Sequence, residues 1–150
     1  PVISSISISP TAGYNDDSYS CSVSATDDDD QSISTSYTWT NETTGATLGT
    51  SSSITLSSST ASPDDVLKCS ATVSDGSDSD SGSDQLTLDN RAPSISNVSI
   101  SHSGTVTTGS TLTCSSSVSD SDGESLSPSY IWTNSGTTIG SGSSITLTSG

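Results

Sequence analysis

The sequence predicts an all-β protein of tandem β-sandwich units, and three observations carry that reading. Apolar residues alternate with Ser and Thr over short runs, the period of half-buried strands. Asp-, Gly-, Ser- and Pro-rich turns separate those runs, and no stretch shows a helical period. One pattern is also spelled out twice. Cys21-Ser-Val-Ser-Ala-Thr-Asp27 leads to Tyr37-Thr-Trp39-Thr-Asn41, Leu48-Gly49 and Ser53-Ile-Thr-Leu56. Cys114-Ser-Ser-Ser-Val-Ser-Asp120 leads to Tyr130-Ile-Trp132-Thr-Asn134, Ile139-Gly140 and Ser144-Ile-Thr-Leu147. The offset is 92 at Pro1 and Pro93, 93 at the Cys and Trp pairs, and 91 after a two-residue deletion near Gly136. A fixed period of this size marks an array of similar domains. Repeat one is expected over 1–92. Repeat two is expected over 93–150 and stops early, as a window cut from a longer tandem protein would.

The strands follow in order. Val2 to Ser9 offers Ile6 and Ile8 to one face, and Tyr19, Cys21, Val23 and Ala25 alternate next. Then come Tyr37 with Trp39, Ile54 with Leu56, the run Leu67, Cys69, Ala71 and Val73, and finally Leu86 with Leu88. Turns are expected over 10–17, 27–32, 43–46, 57–65 and 75–83. Six or seven short strands at this spacing point to a sandwich.

Composition sharpens the picture. The chain holds 43 Ser and 23 Thr in 150 residues, with 27% hydrophobic residues and neither Phe nor Met. Few apolar residues with high net charge ordinarily mean disorder. Here the apolar residues are patterned, so thin cores are expected instead. Seventeen acids against Lys68 and Arg91 give a formal charge of −15. Phosphate binding needs Lys and Arg, which excludes nucleic acid as a partner and argues against anionic membrane surfaces. Cations are the natural counterparts. No apolar run approaches the ~20 residues of a membrane span. The lack of an initiator Met and of a signal peptide fits a mature or internal segment.

The order Cys21, Trp39, Cys69 resembles an immunoglobulin-like domain. In that family a strand-B cysteine bridges to one on strand F, and a strand-C Trp packs on the bridge. The resemblance implies tandem Ig-like sandwiches of Greek-key topology, the second incomplete. It implies a Cys21–Cys69 disulfide, core roles for Trp39 and Trp132, and a partner for Cys114 outside this sequence. Closing the Cys21–Cys69 loop would contribute roughly 4 kcal/mol on the chain-entropy model. Leu67 stands where the family's corner tyrosine would be, and 18 residues separate Cys21 from Trp39, longer than in antibody domains. The chain is more similar to the Ser/Thr/Asp-rich Ig-like and PKD-like repeats of large bacterial and archaeal surface proteins. Paired cysteines in so small a domain imply an oxidising compartment, so an extracellular or cell-surface location is expected.

Catalysis finds little footing. Nucleophilic chemistry needs a base beside the nucleophile, and the one histidine, His102, sits where repeat one has Pro10. No Gly-x-Ser-x-Gly elbow is present, and no carboxylate is set apart from its neighbours as acid/base work requires. The chain is read as a non-enzyme. Metal binding has more substance. Asp27 to Asp30, with Asp27 and Asp29 as ligands, and Asp120-Ser-Asp122-Gly-Glu124 occupy the same loop in both repeats. Dense oxygen ligands around a Gly turn suit Ca²⁺; a solvated acidic turn is the equal alternative. Zinc is disfavoured because His102 and the cysteines are not clustered. Ig topology would also gather Asp16, Asp17, Asp64, Asp65 and Asp89 at one end of repeat one. Asp120, Asp122 and Glu124 would face them, forming a Ca²⁺-clamped junction. Asn41-Glu-Thr43 and Asn97-Val-Ser99 are N-glycosylation sequons, and O-glycans on the Ser/Thr faces would suit a surface protein.

These features together lead to the expectation of a structural repeat in a secreted fibre, stalk or adhesin shaft. Its partners would be neighbouring repeats, and lateral association into a filament is open. The rival is a calcium-dependent carbohydrate- or protein-binding module. Trp39, Trp132, Tyr37 and Tyr130 fall at core positions and only Tyr14 looks free, which leans toward structure. Lys68 and Arg91 are the only trypsin sites, and Lys68 lies inside an expected strand. Limited native proteolysis should therefore cut at Arg91 first. Cleavage at Lys68 at a comparable rate would mean that the strand is not formed.

Overall fold

A computed structural model describes residues 1–29 and 31–149. The chain divides into two compact units, Pro1–Arg91 and Ala92–Gly150. Among the described residues there is no helix, and the strands pair antiparallel in four sheets.

Unit one contains β1 (Val2–Ser9), β2 (Ser18–Thr26), β3 (Ser34–Asn41), β4 (Ala46–Gly49), β5 (Ser53–Thr55), β6 (Val66–Ser74) and β7 (Ser79–Thr87). One sheet has the order β1-β2-β5 and the other β4-β3-β6-β7. All six alternating runs become strands. β4 is a seventh that alternation misses. Its four residues carry one large apolar side chain, Leu48, and it is defined by pairing on β3, with Asn41 opposite Ala46. The turn expected over 75–83 is shorter, because β7 begins at Ser79. Gly82 and the acids Asp80 and Asp84 disguise that strand. Gly82 packs closely under the other sheet: a Cβ there would lie 2.9 Å from Ile6 Cδ1, so the Ile6 side chain would have to shift.

Ile8, Tyr19, Cys21 and Leu56 come from the β1-β2-β5 side, and Trp39, Leu67, Cys69 and Leu88 from the other. Together they form one core between two layers, consistent with a sandwich. The Cys21–Cys69 disulfide joins β2 to β6 across that core. Trp39 is fully buried, stands opposite Cys69 in the β3–β6 ladder, and donates from Nε1 to Ser51 O at 2.9 Å. The indole thus brings its large apolar area inside with its one polar group satisfied.

Unit two contains β8 (Ser94–Ser101), β9 (Thr111–Ser119), β10 (Ile131–Asn134), β11 (Thr137–Ser141) and β12 (Ser144–Thr146). Its sheets are β12-β9-β8 and β10-β11. The sequence repeat is a repeat of bonds as well. Trp132 Nε1 donates to Gly142 O at 2.9 Å, matching Trp39 and Ser51. Cys21 N donates to Ser52 O and Cys114 N to Ser143 O, both at 2.8 Å. Leu56 N to Asp17 O and Leu147 N to Ser110 O are both 2.9 Å.

Replacing Trp39 with Ala removes the largest buried side chain and should cost about 3–5 kcal/mol. A small domain commands about 5–15 kcal/mol in all. Urea titration followed by circular dichroism should show unit one at or near unfolding. A loss below about 1 kcal/mol would show that the core does not depend on the indole.

Candidate functional site

The acids divide into those that build turns and those that join the sheets. Asp27 Oδ1 accepts from Asp29 N at 3.0 Å, and Asp120 Oδ1 from Asp122 N at 2.7 Å. The two loops are equivalent, so the repeated acids share one local job, in which a short side chain folds the backbone back on itself. Asp29 is exposed, and Asp30 lies outside the described residues. Asp120, Asp122 and Glu124 each place a carboxylate oxygen within 4.8 Å of the others. Among the described residues this is the only such group of three or more Asp, Glu, His or Cys. Asp122 is buried and Glu124 exposed. Calcium takes six to eight oxygens, so three carboxylates would need backbone carbonyls or water besides.

Unit one's remaining metal candidates do not gather into a comparable group. Asp16 Oδ1 accepts from Arg91 Nη2 at 2.6 Å, and the Arg91 guanidinium lies 4.5 Å from the Tyr14 ring centroid. Tyr14 is therefore not the free aromatic its sequence position promises. Asp17 Oδ2 accepts from Tyr14 N at 2.8 Å, while Asp64 and Asp89 are exposed. Asp65 is buried, and its Oδ2 accepts from Asn41 Nδ2 at 2.7 Å and Ser62 N at 2.9 Å, so that oxygen is engaged inside the unit.

Asn41 is the partner of Asp65 in that bond. Its side chain is 1% exposed, with Nδ2 on Asp65 and Oδ1 accepting from Thr43 N and Thr44 N. The amide that would carry an N-glycan is enclosed in the folded unit. Asn97 is exposed. His102 is also exposed, standing alone in its loop.

Two residues that sequence reasoning passed over do the most specific work. Asp80 Oδ2 accepts from Ile3 N at 2.8 Å, and Asp84 Oδ2 from Ile8 N at 2.9 Å. Both acids sit on β7 and reach across to β1 of the opposite sheet. They cap backbone donors on the outer edge of β1, the groups through which a bare edge recruits a foreign strand. Only the spacing of four, Asp80 to Asp84, hinted at this, and it lay inside a stretch that reads as a turn. Tyr19 makes a local link, from β2 back to the turn before it. Its hydroxyl donates to Tyr14 O at 3.0 Å, and burial, with Asp17 nearby, pushes its pKa to about 12.

No protein-family profile, curated protein or solved structure matches the chain.

The bond from Ile3 N, and then that from Ser81 N, holds the Asp80 carboxyl below its ordinary range. A lowered folded-state value means that folding favours the ionised form. That stability is fully present above the unfolded value near ~4. It is lost as pH falls through the folded value. Asp80→Ala should therefore lower stability at neutral pH and flatten its decline between pH 5 and about 2. Parallel curves for the two proteins, by urea titration at each pH, would remove Asp80 from the account.

Proposed function

We propose that this chain is a structural segment of a secreted or cell-surface protein: tandem Ig-like sandwiches forming part of a fibre, stalk or adhesin shaft, without enzymatic activity. The observation that carries this is the repetition of the core itself. Both copies bury a Trp and tie its Nε1 to the equivalent backbone carbonyl, at 2.9 Å in each. A repeated, internally satisfied core is what a load-bearing array of domains requires.

The order β4-β3-β6-β7 against β1-β2-β5, with the chain changing sheets from β2 to β3, from β4 to β5 and from β5 to β6, supports an Ig-like Greek key. The disulfide is consistent with a non-reducing compartment. Trp39 and Tyr19 are buried and Arg91 covers Tyr14, which favours a structural role over sugar recognition. Calcium enters the proposal through charge alone, as the counterion of a −15 surface. Surface glycans on the Ser/Thr faces and at Asn97 belong to the same reading.

A shaft must resist tension. Stretching the chain by its ends should give a discrete force peak for unit one. Under oxidising conditions the extension released should fall short by roughly 170 Å, since the 48-residue Cys21–Cys69 separation at about 3.5 Å per residue stays locked. Reduction should restore that length. Featureless extension of the oxidised protein at low force would count against the shaft. Thermal melts in Ca²⁺ and in chelator that superimpose would remove calcium from the proposal.

A further inference from the structure

Asp80 and Asp84 do more than cap one edge, because each carboxylate uses both of its oxygens. Asp80 Oδ2 accepts from Ile3 N at 2.8 Å, and its Oδ1 accepts from Ser81 N at 2.8 Å. Asp84 Oδ2 accepts from Ile8 N at 2.9 Å, and its Oδ1 accepts from Gln85 N at 2.9 Å. β1 and β7 are edge strands of opposite sheets. Two bridging carboxylates tie them together, with the Ile6 side chain seated against Gly82 between the bridges.

β1 is otherwise lightly held. Of its eight residues only Ile8 is buried, whereas β6 buries four of nine. The loop closed by Cys21 and Cys69 leaves β1 outside it. β1 reaches that loop through its ladder on β2, which slips register between Ile3 and Ser5. Segments with few buried contacts open at a lower free energy than the core. Hydrogen bonds to an ionised acceptor are the stronger ones, so the two carboxylates supply much of what keeps β1 in place. Their charged neighbours are occupied elsewhere. β1 brings no ionisable side chain. From β6 comes Lys68, which lies opposite Gln85 on the outer face and pairs with Glu42. Asp75 and Asp78 belong to the turn before β7, and the amino group of Pro1 pairs with Asp27 and Asp75.

We propose that Asp80 and Asp84 form an acid-operated latch on β1: protonating the pair releases β1 from the sandwich while the disulfide-closed remainder of unit one stays folded. The direction follows from the bonds. An added proton must sit on an oxygen that already faces an N–H donor, so each bridge loses one of its two bonds. The Ile3 amide, and then that of Ser81, holds the Asp80 carboxyl below its ordinary range. The latch is therefore shut above the unfolded value near ~4 and opens as pH falls through the lower folded value. Release withdraws Ile6 and Ile8 from the interior and bares the edge of β2 that β1 covered. An edge of that sort accepts a further strand. The latch is independent of the shaft reading, so either can fail alone.

Amide exchange read residue by residue on the full, oxidised chain tests this. Successive amides alternate sides along a strand. Ile8 N faces β7, so the amides of Ser5 and Ser7, paired with Ser24 and Ser22, face β2 and report release of the whole strand. From neutral pH to about 2, their protection relative to intrinsic exchange should fall at least about tenfold further than that of the β3–β6 ladder. Asp80→Asn with Asp84→Asn keeps an acceptor oxygen at each position but cannot titrate, so the difference between β1 and β3 should stop changing with pH. Asp28→Asn with Asp29→Asn, the same loss of charge from an exposed loop, should leave the native response. Equal loss of protection in β1 and β3 would overturn the latch, since the unit would then open as one. A native pH response in the Asp80 and Asp84 variant would overturn it too, by assigning the acid sensitivity to other carboxylates. So would Ser5 and Ser7 amides that are already unprotected at neutral pH.

Discussion

The bond between Cys21 and Cys69 is the constraint on which the rest of unit one depends. The chain has no Phe or Met, and few large side chains are available to hold two sheets together. The disulfide fixes β2 to β6, and Trp39 fills the space beside it. Loop closure of this length contributes roughly 4 kcal/mol on the entropic account, comparable to the lower end of a small domain's net stability. With the sheets held, alternating Ile, Leu and Val need to cover only a narrow interior.

Around that centre the structure replaces missing apolar area with polar links that are each fully placed. Asp80 and Asp84 cross from one sheet to the other, Tyr19 reaches back to its own turn, and Asp65 and Asn41 form a buried pair. Each ties a polar side chain to a partner inside the unit, and a buried polar group left without one carries the full cost of desolvation. The acid-rich composition therefore has an internal purpose as well as an external one. Asp80 and Asp84 also cap donors on the edge of β1, which disfavours sideways pairing there.

The two repeats explain one another. The same Trp, turn and strand-end bonds recur in both, while the covering of β1 in one copy is absent from β8 in the other. The free Cys114 thiol, the exposed Ile131 and, among the described residues, the unpaired edge of β10 follow as consequences of a single difference, the presence of a β6–β7 layer in one unit. The acidic loops show the same economy: Asp27 and Asp120 close equivalent turns, and among the described residues a triad of carboxylates is close together only in the second.

The sequence by itself determined the all-β class, the period, the turn loops and six of the seven strands in unit one, because alternation and repetition are local signals. It also singled out Cys21 and Trp39, since one copy of the motif could be read against the other, while Cys69 came from the order Cys, Trp, Cys that resembles an Ig-like domain. Tertiary structure alone decided the parts that rest on pairing between distant segments. β4 owes its existence to β3, and the first part of β7, which reads as a turn, is masked by Gly82 and by acids that point at another sheet. Asn41 and Asp65 look like surface residues in one dimension and become a buried pair once β3 and the 57–65 turn meet. A carboxylate has the same letter whether it faces water, closes a turn or receives a backbone N–H from across the core. Only the fold brings its partner near, and the partner sets its role.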